Sequence, residues 1–261
     1  MKIKVLLGVS AVFSALAFAS NSTASFQEFE NQYNIGYGIS QGELKSGTNA
    51  DNTSLYNTQS INLEVERLFD VGVWLDGNMG FLTSYNQGSL GPLNSGFGLG
   101  QYPFFNNVDL RVGYAFNLVD NHLQLIPYAM AGRSANWAVS TILANGQENL
   151  SQDFFYNGGL GARLNYRINS AIMVYADGLY TYNWDNSAAV KDIQVPTFGK
   201  SYAATNYEFT TTLGAKFNVY RNLQLGVNTF WNNFQPQSNI SGLIYTPTNS
   251  YGAEATIGLT Y

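Results

Sequence analysis

The sequence predicts an all-β fold: a closed antiparallel transmembrane β-barrel of about ten strands, with long extracellular loops and short periplasmic turns. Three observations predict it. Apolar and polar residues alternate with a period of two in stretches of about 10 to 13 residues that recur along the chain. The connections between these stretches are alternately short and long. Charged residues make up only 11% of the chain, and the apolar strand faces carry almost none of them.

The first 24 residues are predicted to be a secretory signal peptide that precedes a barrel domain at 25–261. Lys2 and Lys4 form a positive start, an apolar run of about 15 residues follows, and small residues allow cleavage after Ala19 or Ala24. The run is shorter than the roughly 18 residues of a spanning helix. Removing the leader leaves 10 basic residues against 17 acidic ones, a net charge of −7. An acidic exported chain without a basic cluster is not expected to bind nucleic acid.

Nine of the ten predicted strands have two distinct faces. In order along the chain, the apolar faces carry Tyr33, Ile35, Tyr37 and Ile39; Ile61, Leu63 and Val65; Val73, Leu75, Met79 and Phe81; Val108, Leu110, Val112, Tyr114 and Phe116; Tyr156, Leu160, Ala162, Leu164 and Tyr166; Ile172, Val174, Ala176, Tyr180 and Tyr182; Tyr207, Phe209, Leu213 and Phe217; Leu223, Leu225, Val227 and Trp231; and Tyr251, Ala253, Ala255, Ile257, Leu259 and Tyr261. The fifth strand, at about 123–137, shows no clear phase.

The connections alternate in length, which is typical of a barrel that spans a membrane. The four short ones lie near 69–71, 117–122, 167–171 and 220–222, and the five long ones cover about 44–57, 86–105, 138–153, 185–205 and 236–248. An even number of strands with tight turns at one end brings both termini to the periplasmic side.

The opposite strand faces are polar and are predicted to line the lumen. Their ionisable residues are Glu64, Glu66, Asp76, Asp109, Arg111, Arg163, Asp177, Glu208, Lys216 and Glu254. A soluble ten-stranded sandwich would also alternate, but its dry core could not absorb this many charges. On the nine phased strands the apolar face carries no Asp, Glu or Lys, and its one Arg, Arg67, lies near a short turn where it can reach water.

The lumen charges have two interpretations. Ten strands leave a narrow or plugged interior, in which Arg111, Arg163 and Lys216 would pair with carboxylates as a polar core. Alternatively, the surplus of carboxylates lines a thin water path that prefers cations. Arg133 would add a fourth base if a bulge at Pro127 flipped the fifth strand.

The chain resembles a small Gram-negative outer-membrane β-barrel over about residues 30–261. The most specific part is the last strand, where the terminal aromatic Tyr261 follows Leu259 and Ile257 at alternate positions. The resemblance implies that these residues are the signal read by the barrel-assembly machinery, and that outer-membrane lipids and lipopolysaccharide surround the barrel. The strand count is similar to that of omptin proteases and Opc-type adhesins, but no single family is indicated.

An enzyme is not expected, and no cofactor or metal site is predicted. Omptin-like proteolysis would need an acidic pair and an Asp–His pair at the outer rim, yet the only histidine, His122, falls in a short turn. Barrel lipases also rely on a histidine that orients a serine. The absence of cysteine removes Cys-based zinc and iron–sulfur sites.

Two long loops are the other candidate site. The segments 86–105 and 236–248 contain no charged residue, and they carry the predicted contact residues Phe97, Tyr102, Phe104, Phe105, Ile244 and Tyr245. Exposed apolar groups on loops often bind a partner. The sequence therefore favours a nonenzymatic surface barrel, an adhesin or a structural protein, that binds an unknown external ligand. The alternatives are a narrow porin-like channel for cations or small, including hydrophobic, solutes, and a surface hydrolase.

Overall fold

The computed structural model describes residues 24–45, 53–87, 104–119, 122–142, 148–185, 206–220, 222–236 and 246–261. Residues 1–23 of the predicted leader (1–24) lie outside these ranges, and its last residue, Ala24, is described. None of the described residues forms a helix long and apolar enough to cross a membrane.

One short helix precedes eleven strands. The helix α1 spans Ala24–Glu30, and the strands are β1 Gln32–Lys45, β2 Thr53–Leu68, β3 Val73–Gln87, β4 Phe104–Tyr114, β5 Phe116–Val119, β6 Leu123–Ile142, β7 Glu148–Arg167, β8 Ile172–Asp185, β9 Asn206–Tyr220, β10 Leu223–Pro236 and β11 Thr246–Thr260.

The strands close into a ten-stranded antiparallel barrel, which confirms the predicted fold class. Apart from β4 and β5, consecutive strands pair with each other, and β1 also pairs with β11, so that Tyr33 lies between Val65 and Leu259. β4 and β5 both pair with the same edge of β6 and together act as one strand of the barrel. We call the end with the short connections the turn end and the opposite end the loop end.

The predicted fourth strand is interrupted at Ala115. Its amide donates to the carbonyl of Gly72 in the β2–β3 turn, at 2.8 Å, instead of continuing the ladder with β6. Gly72 adopts a positive φ of 88°, a left-handed conformation that favours glycine in this tight turn. The short strand β5 therefore occupies part of the segment predicted to be a turn at 117–122.

The strands are longer than predicted. β6 and β7 have 20 residues each, about twice what a tilted strand needs to cross a bilayer. The connections at the loop end are correspondingly shorter than the predicted loops. β4 begins at Phe104, so the backbone of Phe104 and Phe105 lies in a strand rather than in the predicted loop 86–105.

The apolar strand faces point outward. Ile35, Leu160 and Leu213 are 57%, 71% and 58% exposed, whereas the alternate positions of the same sheet are largely buried in the lumen. Such an inverted arrangement is stable only if lipid covers the outer surface. The predicted phase of the strands is therefore confirmed.

The proposed flip of the fifth strand is wrong. The pairing of β6 with β7 runs without a register shift from Leu123 to Val139, so Pro127 causes no bulge there. Arg133 pairs with Tyr156 on the outer face, and its guanidinium lies 5.9 Å from the centre of that ring. It is therefore not a fourth lumen base. Arg133 lies ten residues after the start of β6 at the turn end, and each residue of a strand advances roughly 3.3 Å. It therefore lies toward the loop end, where water or lipid headgroups can solvate its guanidinium.

A close approach inside the lumen requires glycine at position 161. The ring of Tyr128 covers Gly161 on the paired strand, and a Cβ there would lie 2.3 Å from Cζ of Tyr128. We expect Gly161→Ala to lower the free energy of unfolding by about 1–3 kcal/mol, because the ring has to move. Denaturant unfolding followed by tryptophan fluorescence measures this. Gly178→Ala is the control, since nothing lies within 4 Å of its Cβ position, and equal losses in both variants would contradict the packing argument.

Candidate functional site

The helix α1 lies at the turn end of the lumen and fills it with apolar side chains. Phe26 and Phe29, one helical turn apart, are both fully buried. The core that surrounds them consists of Leu68, Trp74, Ala115, Ile126, Tyr128, Met173 and Leu179. Burying each phenylalanine contributes about 1.5–3 kcal/mol relative to leaving it exposed. The helix is therefore held as a plug by the hydrophobic effect.

Four charged residues meet on the loop-end side of this plug. We call them the Glu66 cluster, and they are Glu30, Glu66, Arg163 and Lys216. Arg163 Nη1 lies 2.8 Å from Glu66 Oε1, and Lys216 Nζ contacts Glu66 Oε2 and lies 3.7 Å from Glu30 Oε1. All four side chains are almost completely buried. Two acids and two bases make the cluster balanced in formal charge, as a buried ionic group requires.

Neutral donors complete the Glu66 cluster. Trp74 Nε1 donates to both Glu30 and Glu66, at 2.8 and 2.9 Å. Gln32 Nε2 donates to Glu66 at 2.6 Å, and Asn165 Nδ2 donates to Glu30 at 3.1 Å. Glu66 thus accepts bonds from residues on β1, β3, β7 and β9, which lie on different sides of the barrel. The cluster ties the walls together across the lumen.

A second charged group lies on the wall formed by β3 and β4. Arg111 Nη1 is 3.4 Å from Asp76 Oδ2, and Arg111 Nε is 3.2 Å from Asp109 Oδ1. Its guanidinium also lies 5.7 Å from the ring centre of Tyr128, whose hydroxyl donates to Asp177 at 2.6 Å. One arginine here faces two carboxylates, so this group keeps an excess negative charge.

A cavity of about 430 Å³ occupies the lumen on the loop-end side of the Glu66 cluster, and we call it the acidic cup. Its wall contains six carboxylates, namely Glu64, Asp76, Asp109, Asp177, Glu208 and Glu254, and three bases, namely Arg111, Arg163 and Lys216. In the described part of the chain, no Lys or Arg pairs with Glu64, Asp177, Glu208 or Glu254. The cup is therefore a negatively charged space closed at one end.

The structure turns all ten predicted lumen residues inward. Glu66, Arg163 and Lys216 form the floor of the acidic cup, and the remaining seven lie along its wall. The three bases pair with carboxylates, as the polar-core interpretation expects, but four acids remain without a cation in the described ranges. The lumen thus contains both paired charges and an excess of carboxylates.

Of the predicted assembly-signal residues, Ile257 and Leu259 lie on the outer face of β11, and Tyr261 directly follows that strand. Ile257, Leu259 and Tyr261 are 54%, 61% and 51% exposed. Tyr261 stacks on Tyr33 with ring centres 4.7 Å apart, and Arg67 lies 5.9 Å from the Tyr261 ring. These contacts connect Tyr261 to β1 and β2 at the turn end.

The predicted loop contacts fall mostly outside the described residues. This holds for Phe97, Tyr102, Ile244 and Tyr245, and for Phe104 and Phe105 only the backbone is described. His122 is exposed at the turn end, where its Nδ1 lies 2.8 Å from the carbonyl oxygen of Arg167. Within the described ranges, no three His, Cys, Asp or Glu residues converge to hold a metal ion.

Sequence reasoning missed the plug. Residues 24–30 lie at the leader boundary and carry no strand pattern, so Phe26, Phe29 and Glu30 were not expected in the lumen. Their signal is a spacing of three between the phenylalanines with an acid next to the second, which is typical of a short helix with one apolar side. Trp74 alternates with Val73 and Leu75 of the predicted apolar face, so its inner position follows from the sequence, but its bond to Glu30 depends on the plug.

No protein-family model matches this chain, and no curated protein matches it. Among solved structures, it is similar to the β domain of the Bordetella autotransporter BrkA, with 12% identity, coverage of 89% of this chain and 100% of that one, and a TM-score of 0.49. It is also similar to the outer membrane protease OmpT from Escherichia coli, with 12% identity, 89% and 97% coverage and a TM-score of 0.42. An outer membrane channel from Pseudomonas putida F1 matches at 12% identity, 88% and 96% coverage and a TM-score of 0.41.

At these identities and TM-scores, none of the likenesses bears on activity. The class of the protein follows from its own architecture, a closed barrel with an apolar outer surface and a polar lumen. The chain is a closed antiparallel β-barrel, and its apolar outer surface is that of a barrel that spans a membrane.

Proposed function

We propose that the protein is a nonenzymatic outer-membrane barrel that does not conduct and that binds a partner with its loop end, outside the cell. The observation that carries this proposal is the filled turn end. Phe26, Phe29 and Trp74 are fully buried there, and so are the carboxylates of the Glu66 cluster. A pore needs a continuous path of water from one end to the other. Side chains that exclude solvent so completely leave no such path in the described structure.

The nonenzymatic part of the proposal is supported by the position of His122. A substrate that arrives from outside meets the loop end, whereas His122 lies at the turn end and contacts a backbone carbonyl. The acidic cup contains no histidine, because His122 is the only one in the chain. Without it, the cup lacks the base that barrel hydrolases of the Ser–His or Asp–His type use.

A narrow cation channel is the second candidate, and the excess of carboxylates in the acidic cup favours it. Clefts lined by one sign of charge concentrate counter-ions. Conduction would require α1 to leave the lumen, since its side chains close the turn end. The two candidates therefore differ in one measurable property, the permeability of the intact protein.

We expect the full chain, refolded and inserted into planar bilayers, to give no single-channel events. Fully buried aromatic rings and a balanced ionic cluster close the lumen, so ions have no path. Heat-modifiability on a gel shows that the inserted protein is folded. Regular cation-selective events from the full chain would favour the channel instead.

Loop deletions test the external interaction. The strand ends place the cuts within 88–103 and 237–245, which leaves β3, β4, β10 and β11 intact. Cells that display the full barrel should adhere to a host-cell or matrix surface more than cells that display the shortened one. Equal adhesion, with both proteins folded and displayed, would reject these loops as the binding surface.

A further inference from the structure

We propose that the acidic cup binds an organic polyamine, a linear cation in which two or more ammonium groups are joined by methylene chains. This inference deepens the proposed function, on which it rests for the closed turn end. It assigns a ligand class to the lumen, whereas the proposed function itself concerns the loop end as a whole.

Asparagine side chains hold the glutamate carboxylates of the cup that have no cation among the described residues. Asn34 Nδ2 donates to Glu64 at 2.7 Å, and Asn62 and Asn228 donate to Glu254 at 2.7 and 3.1 Å. Glu208 accepts likewise from Asn183 and Asn232. Amides fix the direction of a carboxylate but leave its charge in place. The wall thus presents ordered negative charges that no Lys or Arg of the described chain neutralises.

Two buried carboxylate oxygens of the cup have no hydrogen-bond partner among the described residues. Asp177 is 8% exposed, and its Oδ2 has no hydrogen bond although its Oδ1 accepts from Tyr128. Asp76 is 2% exposed and its Oδ1 likewise has none. Both residues line the cup. A buried acceptor without a donor costs about 1–3 kcal/mol, so these oxygens point to a ligand that donates hydrogen bonds.

The geometry favours an extended organic cation over a metal ion. No three carboxylates among the described residues converge on one point, which a metal ion requires. The charges are spread around the cup instead. Between them the wall carries Met130, Leu179 and Phe230, which offer apolar contact to methylene groups. The volume of about 430 Å³ lies within the range of roughly 300–1,000 Å³ that is common for small-molecule sites.

The test is calorimetric titration of the folded full chain in micelles with spermidine. We expect saturable binding to one site. The double variant Glu254→Gln plus Asp177→Asn should weaken binding at least about tenfold, because each change removes a charge-assisted hydrogen bond and keeps an acceptor for the neighbouring donors. Glu28→Gln is the matched control, since Glu28 is exposed on α1 outside the cup. It should bind as the unmodified chain does. Heat-modifiability confirms that each variant is folded.

Three outcomes overturn the inference: no binding of spermidine, equal binding by the double variant and the unmodified chain, or Mg²⁺ binding as tightly as spermidine at the same concentration. Bilayer recordings keep this result separate from the proposed function. Failure to bind in a silent barrel rejects only the polyamine, whereas channel events in a barrel that binds spermidine reject only the closed state.

Discussion

Replacing Glu66 with alanine is expected to lower the free energy of unfolding by about 3–5 kcal/mol, the cost of removing one partner from a buried ionic group. Glu66 accepts hydrogen bonds from Gln32, Trp74, Arg163 and Lys216. Alanine would leave two buried cations facing Glu30 alone and would remove the acceptor of Gln32 Nε2, while Trp74 Nε1 would keep Glu30 as its acceptor. Guanidinium unfolding in micelles, followed by tryptophan fluorescence, measures the change.

Glu64→Ala provides a matched control for this prediction. Glu64 lies on the same strand and the same face, two residues away, but among the described residues its side chain accepts one hydrogen bond, from Asn34 at 2.7 Å. Its removal also deletes one of several like charges, so we expect a change of at most about 1 kcal/mol. If Glu64→Ala and Glu66→Ala were equally destabilising, the ionic cluster would not be the element that ties the walls together.

A chain that starts at Asn31 is expected to conduct where the full chain does not. It lacks α1 and therefore Phe26, Phe29 and Glu30, which fill the turn end. Asn31 is kept because its side-chain oxygen accepts from the amide of Leu68 at 2.6 Å and fixes the start of β1. Single-channel recording after refolding is the measurement. The expected events are small, because Trp74, Arg163 and Lys216 remain in the lumen.

The double variant Phe26→Ala plus Phe29→Ala supports the same interpretation without shortening the chain. It keeps Glu30 but removes most of the apolar contact of α1, so we expect a lower thermal stability and brief openings. A silent barrel for the chain that starts at Asn31, shown to be folded by its gel mobility, would mean that the wall residues close the lumen by themselves.

The barrel could be predicted because the alternation that defines it is visible within each strand. Alternation along each strand is set by whether a side chain faces lipid or the lumen. The outward orientation of Ile35, Leu160 and Leu213 can therefore be predicted from the sequence. The fifth strand was not predictable in this way, because Ile126 and Met130 are apolar residues on the inner face. Only the pairing of β6 with β7 fixes its phase and places Arg133 outside.

The candidate site was predictable in composition but not in arrangement. The sequence shows which carboxylates face inward. It does not show that Arg163 and Lys216 converge on Glu66, because 97 and 150 residues separate them along the chain. That convergence leaves Glu64, Glu208 and Glu254 to asparagines from nearby strands. The plug was missed because a helix of seven residues before the first strand leaves little periodicity to detect.

The junction of the first and last strands has a consequence for the order in which the helix and the barrel fold. The amide of Tyr261 donates to the carbonyl of Asn31 at 3.1 Å, so the C-terminus docks on the residue that follows the helix. Inserting a helix with two phenylalanines into a narrow barrel that has already closed is difficult. Folding the barrel around that helix is easier. The final seam between β1 and β11 should therefore form last, with the N-terminal segment already inside, and premature sealing would leave an empty ring.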